Sequence, residues 1–274
     1  MKILSRLIVT AAAVLAATSC SLVLEDRDGC PGWLVFDLQE DCGLQGGRTA
    51  SVYVFEGGET VASDSEVPLG SLRPDGYSIT VPRGELDAAG VVGNERALVR
   101  GSTLSVPKGY DYDPVYLFRG SATAGEYDAT MGVSLCKEHA AVEISFAAEE
   151  GSPYTYYIGI RGSTTGIDLV SGSPLTGEYD FSPMEEEAGV FRFFLPRQAR
   201  PEDLVMDLYA SRTNRTQEGL VESIPLQYYI SRIRDFSWED RNLKDIRIRF
   251  DLARSTVAAT VGDWEDGYLI DFRI

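Results

Sequence analysis

The sequence predicts an all-β protein made of two β-sandwich domains in tandem, and two observations carry that expectation. Short apolar runs, several with period-two alternation, recur along the chain with Gly and Pro between them, while only one stretch has convincing helical periodicity. Alternation puts one face of a strand on a core and the other in water. Many short strands at this spacing, punctuated by turn residues, form the pattern of a sandwich.

Taken in order, the chain begins with an export address. Met1-Lys2-Ile3 and Arg6 give a short positive region, Leu7 to Ala17 an apolar run, and Thr18-Ser19 lead into Cys20. A spanning helix needs about 20 apolar residues, so residues 1–19 read as a cleaved signal peptide. The small residues before Cys20 resemble a bacterial lipobox, with Ala17 where Leu is more usual. In signals of that kind the cysteine becomes the acylated mature N-terminus. Acylation contributes about 0.8 kcal/mol of membrane binding per buried methylene, and two chains give stable anchoring. Cys20 is therefore the expected lipidation site, and residues 20–29 the lipidated tether, with Glu25-Asp26-Arg27-Asp28 acidic inside it.

The first domain is expected over residues 30–136. Its strands are Trp33 to Leu38, Val52 to Phe55 before the Gly57-Gly58 turn, Tyr77 to Val81, Leu98-Val99, Val115 to Phe118 and Met131 to Leu135. The second is expected over residues 137–274, with strands at Ala141 to Phe146, Tyr156 to Ile160, Val190 to Leu195, Leu204 to Tyr209, Ile246 to Phe250, Val257 to Val261 and Tyr268 to Phe272. The helical stretch is Leu226 to Ile233, where Leu226, Tyr229, Ile230 and Ile233 share a face and Pro225 suits the first turn. Gly162 to Gly166 reads as a turn, and Glu185 to Glu187 as a charged loop.

Composition narrows the function. With 274 residues, 44% hydrophobic and 24% charged, the chain is ordinary globular material, but its net charge of −17 argues against nucleic acid, which needs a basic face. No second apolar stretch approaches spanning length, so the lipid is the expected membrane attachment. Beyond Cys20 the cysteines are Cys30, Cys42 and Cys136, which in an oxidising compartment permit one disulfide with one thiol left over. Cys30 and Cys42 are closest in sequence, yet an intervening strand would hold them apart, and the pairing stays open. The one histidine, His139, and the lack of Cys-x-x-Cys leave a zinc site without ligands. No Gly-x-Ser-x-Gly elbow accompanies His139, and the carboxylate pairs Asp111/Asp113 and Asp263/Glu265 are unspecific in so acidic a chain. No enzyme activity, metal or cofactor is therefore expected. Tyr154, Tyr156 and Tyr157 are candidates for a sugar-binding face, with sheet packing as the alternative.

Several stretches together resemble one family. The lipobox-like end at Cys20, the acidic tether, Asp28-Gly29-Cys30-Pro31 before the first strand, and Val52 to Phe55 are similar to the anchor-subunit lipoproteins of Bacteroidales fimbriae, the FimB/Mfa type of the fimbrillin superfamily. So are Ile224-Pro225-Leu226 to Ile230, Phe236-Ser237-Trp238, Leu243 to Ile246, and Thr260 to Trp264, whereas Pro82 to Gly109 offers few matches. The resemblance implies two transthyretin-like β-sandwich domains in an outer-membrane lipoprotein, exposed at the surface, that anchors a fimbria or is its accessory subunit. It implies a fimbrial shaft subunit as partner, joined by strand exchange, a form of β-augmentation. The candidate exchange segment is the terminal strand with Tyr268, Leu269, Ile270, Phe272 and Ile274; it either serves as donor or closes its own domain. The acidic tether resembles a cell-surface export tag of such lipoproteins and otherwise reads as a solvated spacer. The competing function is a surface lipoprotein that captures glycans.

Overall fold

The structure is a computed structural model that describes residues 30–44, 47–125, 128–147, 157–187, 189–210, 219–251, 256–261 and 268–271. Strands make up nearly all of its regular structure. The first half carries β1 (Gly32–Glu40), β2 (Thr49–Glu56), β3 (Glu59–Pro68), β4 (Ser78–Val81), β5 (Gly84–Val92), β6 (Leu98–Arg100), β7 (Thr103–Ser105), β8 (Tyr116–Ala124), β9 (Ala129–Ser134) and β10 (Cys136–Lys137). The second half carries β11 (His139–Ala147), β12 (Tyr157–Asp168), β13 (Pro174–Phe181), β14 (Glu185–Glu187), β15 (Val190–Pro196), β16 (Val205–Tyr209), β17 (Leu220–Pro225), α1 (Leu226–Ile230), β18 (Ile246–Asp251), β19 (Thr256–Val261) and β20 (Tyr268–Asp271).

These strands form four sheets. The first has the order β4-β1-β9, with β1 and β9 parallel, and the second β10-β8-β5-β2-β3. The third runs β17-β16-β12-β7-β6 with β13 also on β12, and the fourth β14-β15-β11-β18-β19-β20. One hydrophobic cluster lies between the first two sheets, where Leu34 and Phe36 of β1 meet Val52 and Val54 of β2 and Phe118 of β8. A larger cluster joins the third and fourth sheets, packing Ile158, Ile160, Met206 and Leu208 against Ile144, Phe191, Ile246 and Ile248. That cluster also takes Phe55, Ala89, Val91 and Leu117 from the other face of the second sheet. The second sheet is therefore covered on both faces. This explains β5, whose last five residues, Ala88 to Val92, are all buried, with Ala and Gly where space is short.

The halves also interleave. The β6–β7 hairpin leaves the first half to pair with β12, Gly166 opposite Ser105 and Ile167 opposite Leu104. A Cβ at Gly166 would sit 1.9 Å from the Leu104 carbonyl oxygen, so only glycine allows this approach. Gly162 to Gly166 is consequently not the turn that its composition predicts: it lies inside β12, held by β13 on one side and β7 on the other. Glu185 to Glu187 likewise is no loop but the exposed edge strand β14, paired to β15. The helix is shorter than its periodicity predicts. It ends at Ile230, and Ile233 is carried into the core by a tighter turn, its amide donating to Ile230 O at 3.0 Å.

The segment after α1 clips the junction between the halves. Leu243 N donates to Lys137 O at 3.0 Å, Lys137 N to Asn242 Oδ1 at 2.9 Å, and Ala141 N to Asp245 Oδ1 at 2.9 Å. Beneath it the partly buried Arg197 pairs with buried Glu138, Nε to Oε2 2.8 Å, and its Nη1 donates to the carbonyls of Trp238 and, at 2.8 Å, Asp240. The motif from Phe236 to Ile246, read from sequence as a signature, thus has a structural role, which is to lock residues 136–141 in place.

Candidate functional site

The outer face of the third sheet forms an open groove of about 710 Å³, within the size range of small-ligand sites. β12 and β16 are antiparallel neighbours, with Tyr157 opposite Tyr209 and Gly159 opposite Asp207. Alternation sends Ile158, Ile160, Met206 and Leu208 into the core, so Tyr157, Gly159 and Arg161 face outward beside Asp207 and Tyr209. A Cβ at Gly159 would lie 3.3 Å from Tyr209 Cε2, so the missing side chain gives the tyrosine ring its room across the strand.

A polar cluster forms the floor. Arg161 Nε donates to Asp207 Oδ2 at 2.7 Å and Nη2 to Oδ1 at 3.3 Å, while Ser223, opposite Asp207 on β17, donates Oγ to Oδ1 at 2.6 Å. The fork of hydrogen bonds raises the Arg161 pKa and holds the guanidinium charged. Asp207 is 8% exposed under these partners. The segment Ser182-Pro183-Met184, between β13 and β14, also lines the groove, with Met184 76% exposed. Two ring faces beside fixed donors and acceptors suit a polyhydroxylated ligand better than a reaction. Among the described residues no group of three potential metal ligands occurs, and no helix is long and apolar enough to cross a membrane.

His139, Asp111 and Asp113, which the sequence singles out, each have structural partners. His139 is 3% exposed, donates Nδ1–H to Val115 O at 2.9 Å, and lies between the rings of Tyr116 and Phe194. Burial lowers its pKa to about 4, so the ring is neutral. Asp113 is buried and accepts from the amides of Arg96 and Ala97 at 2.7 and 2.6 Å, while Asp111 pairs with Arg96 Nη1 at 2.9 Å. These carboxylates fasten one loop. Asp263, Glu265, Tyr154 and Tyr156 lie outside the described residues, as does Cys20.

Of the candidate exchange segment, Tyr268 to Asp271 forms β20, the edge strand of the fourth sheet, with Ile270 opposite Val257 and Leu269 opposite Ala258 on β19. Phe272 and Ile274 lie outside the described residues. Among the described residues β20 pairs on one side only, with β19, which leaves its other edge as a row of backbone groups suited to another strand. Tyr157 is the one groove residue that the sequence marks as a candidate for ligand binding. Arg161, four residues on along the same strand face, was the available signal, whereas Asp207 and Ser223 enter only through the pairing of β12, β16 and β17.

No known family profile matches the sequence, and no curated protein matches it either. Solved structures do. The chain superposes on a candidate polysaccharide-binding protein of Bacteroides thetaiotaomicron with a TM-score of 0.60 at 15% identity, covering 89% of this chain and 98% of that one. It superposes on a candidate adhesin of Bacteroides ovatus with a TM-score of 0.59 at 14% identity, covering 88% and 96%. It also superposes on the fimbrial anchor protein Mfa2 of Porphyromonas gingivalis with a TM-score of 0.57 at 13% identity, covering 89% and 100%. At these identities the likeness is one of fold. The structural neighbours are Bacteroidales adhesins and fimbrial proteins, and they include a fimbrial anchor protein of the kind that the sequence motifs resemble.

Proposed function

We propose that this chain is an outer-membrane lipoprotein, exposed at the cell surface through acylated Cys20, that anchors a fimbria or is its accessory subunit and joins shaft subunits by strand exchange. The observation that carries the reading is the fold shared with Mfa2 over the whole of that protein, in a chain whose export signal ends in cysteine. The same proposal divides the mature chain at Lys137 into two sandwiches. Its role is to hold and bind, not to catalyse.

Two experiments test it. Cys20→Ala is expected to move the chain from the membrane fraction to the soluble one, because the lipid supplies the binding energy; retention through salt and carbonate washing would sink the lipid anchor. Deleting residues 267–274 is expected to release fimbriae into the medium while the truncated chain stays folded and membrane-bound. A donor strand of this length contributes several backbone hydrogen bonds, each about 0.5–1.5 kcal/mol net. Shafts that remain attached, or a truncated chain that fails to fold, would remove the donor role.

A second reading, capture of glycans at the surface, rests on the groove of Tyr157, Tyr209 and the Arg161–Asp207–Ser223 cluster. On a glycan array the mature chain should bind oligosaccharides, and Tyr209→Ala should weaken that binding about tenfold by removing one stacking face. Binding that is unchanged by Tyr209→Ala, or no binding to the array, would refute it.

A further inference from the structure

Two of the three described cysteines meet at the junction between the halves. The parallel ladder of β1 and β9 ends with Glu40 opposite Ser134, and Leu135 N extends it by donating to Glu40 O at 2.9 Å. The chain leaving β1 then turns at Cys42, which takes a positive φ of 55°. The Cys42 thiol donates to Leu135 O at 2.8 Å and has Asn242 Oδ1 at 3.4 Å as its second neighbour, the same oxygen that accepts Lys137 N at 2.9 Å. Cys42 Sγ is therefore held between the carbonyl before Cys136 and the acceptor of the amide after it. Arg241 closes the arrangement: its Nε donates to Cys136 Sγ at 3.4 Å while its Nη2 pairs with Glu40 Oε2 at 2.8 Å. Both thiols are partly buried, and Cys136 helps burial to push the Cys42 thiol up.

Cys30 is placed elsewhere. It precedes β1, whereas Cys42 follows it, and the nine residues of that strand span about 30 Å at some 3.3 Å each. A disulfide needs its Cα atoms within about 7 Å. Because β9 runs parallel to β1, Cys136 lies at the far end as well. Cys30 is exposed and reaches neither partner.

We infer that Cys42 and Cys136 form a disulfide that ties the end of β1 to β10, and that Cys30 remains a free thiol. The export reading supplies only the oxidising surroundings; the pairing itself follows from the geometry. In the reaction one thiolate attacks an external disulfide, such as oxidised glutathione, and expels a thiolate. The second cysteine, deprotonated, then displaces the remaining thiol from the mixed disulfide. Two protons and two electrons leave the protein, one S–S bond forms, and the external disulfide is reduced to two thiols.

The full mature chain, purified in detergent, is to be incubated with oxidised glutathione, alkylated and cleaved after glutamate. Cleavage after Glu40 separates Cys30 from Cys42. The expected product is one linked pair of peptides carrying Cys42 and Cys136, two hydrogens lighter than their sum, with Cys30 alkylated. It should persist in Cys30→Ser and vanish in Cys42→Ser. Dithiothreitol should lower the thermal midpoint of the oxidised chain by several degrees and leave that of Cys42→Ser unchanged. A linked peptide containing Cys30, or three alkylated cysteines after oxidation, would overturn the pairing, and neither outcome would bear on export.

Discussion

Arg197→Ala is expected to destabilise the protein by about 3–5 kcal/mol, as removal of one partner from a buried ion pair does. The side chains of Arg197 and Glu138 are 15% and 8% exposed and meet at 2.8 Å. Without the guanidinium, Glu138 would keep a buried charge with no counter-charge, and the carbonyls of Trp238 and Asp240 would lose their donor. The loss should appear in urea unfolding as a lower midpoint at unchanged slope. The double variant Arg197→Ala, Glu138→Ala should lose less than the sum of its singles, since it removes the stranded charge as well. A shift below about 1 kcal/mol for Arg197→Ala would mean that the pair is solvated, in the range of a surface salt bridge.

Stability should also fall by about 3 kcal/mol on acidification through the window set by His139, from pH 6.5 down to about 4. The sign follows from which state takes up the proton. Burial holds the folded ring neutral until about pH 4, while the unfolded ring protonates near 6.5, so the unfolded state binds more protons between these values. Stability is complete above the upper value and declines below it. Lys137 adds to the lowering, whereas Asp245 and the bond to Val115 oppose it. Unfolding midpoints at pH 5 and 7 isolate the effect, because most carboxylates titrate lower. In His139→Gln, which keeps a donor but does not titrate, the difference between the two pH values should disappear. A wild-type protein equally stable at both would show that the ring protonates within the fold.

Much of the fold is legible in the sequence where a strand has one wet face. β11 and β18 show their alternation because polar residues report the solvent side, Glu143 and Ser145 in the one and Arg247 and Arg249 in the other. β5 hides because it is buried on both faces and filled with Ala and Gly, and β3 hides because, as an exposed edge, it is mostly polar. The strand through Gly162–Gly166 has turn composition but is fixed by partners distant in sequence. For the groove, Tyr157 is visible along its own strand. The placement of Asp207 depends on the register with β16, which no local pattern specifies.

The sheet buried on both faces has a mechanical consequence. A load entering ahead of β1 first reaches the smaller core, and the second sheet, as a wall common to both cores, passes it to the larger one. The β6–β7 hairpin is stitched into the far sheet, so the halves cannot peel apart without breaking the β7–β12 ladder, which joins strands from either side of Lys137. Under tension such a molecule behaves as one stiff link rather than as two beads on a string. In a pulling experiment from its two ends it should hold as a unit and then yield in a single large step.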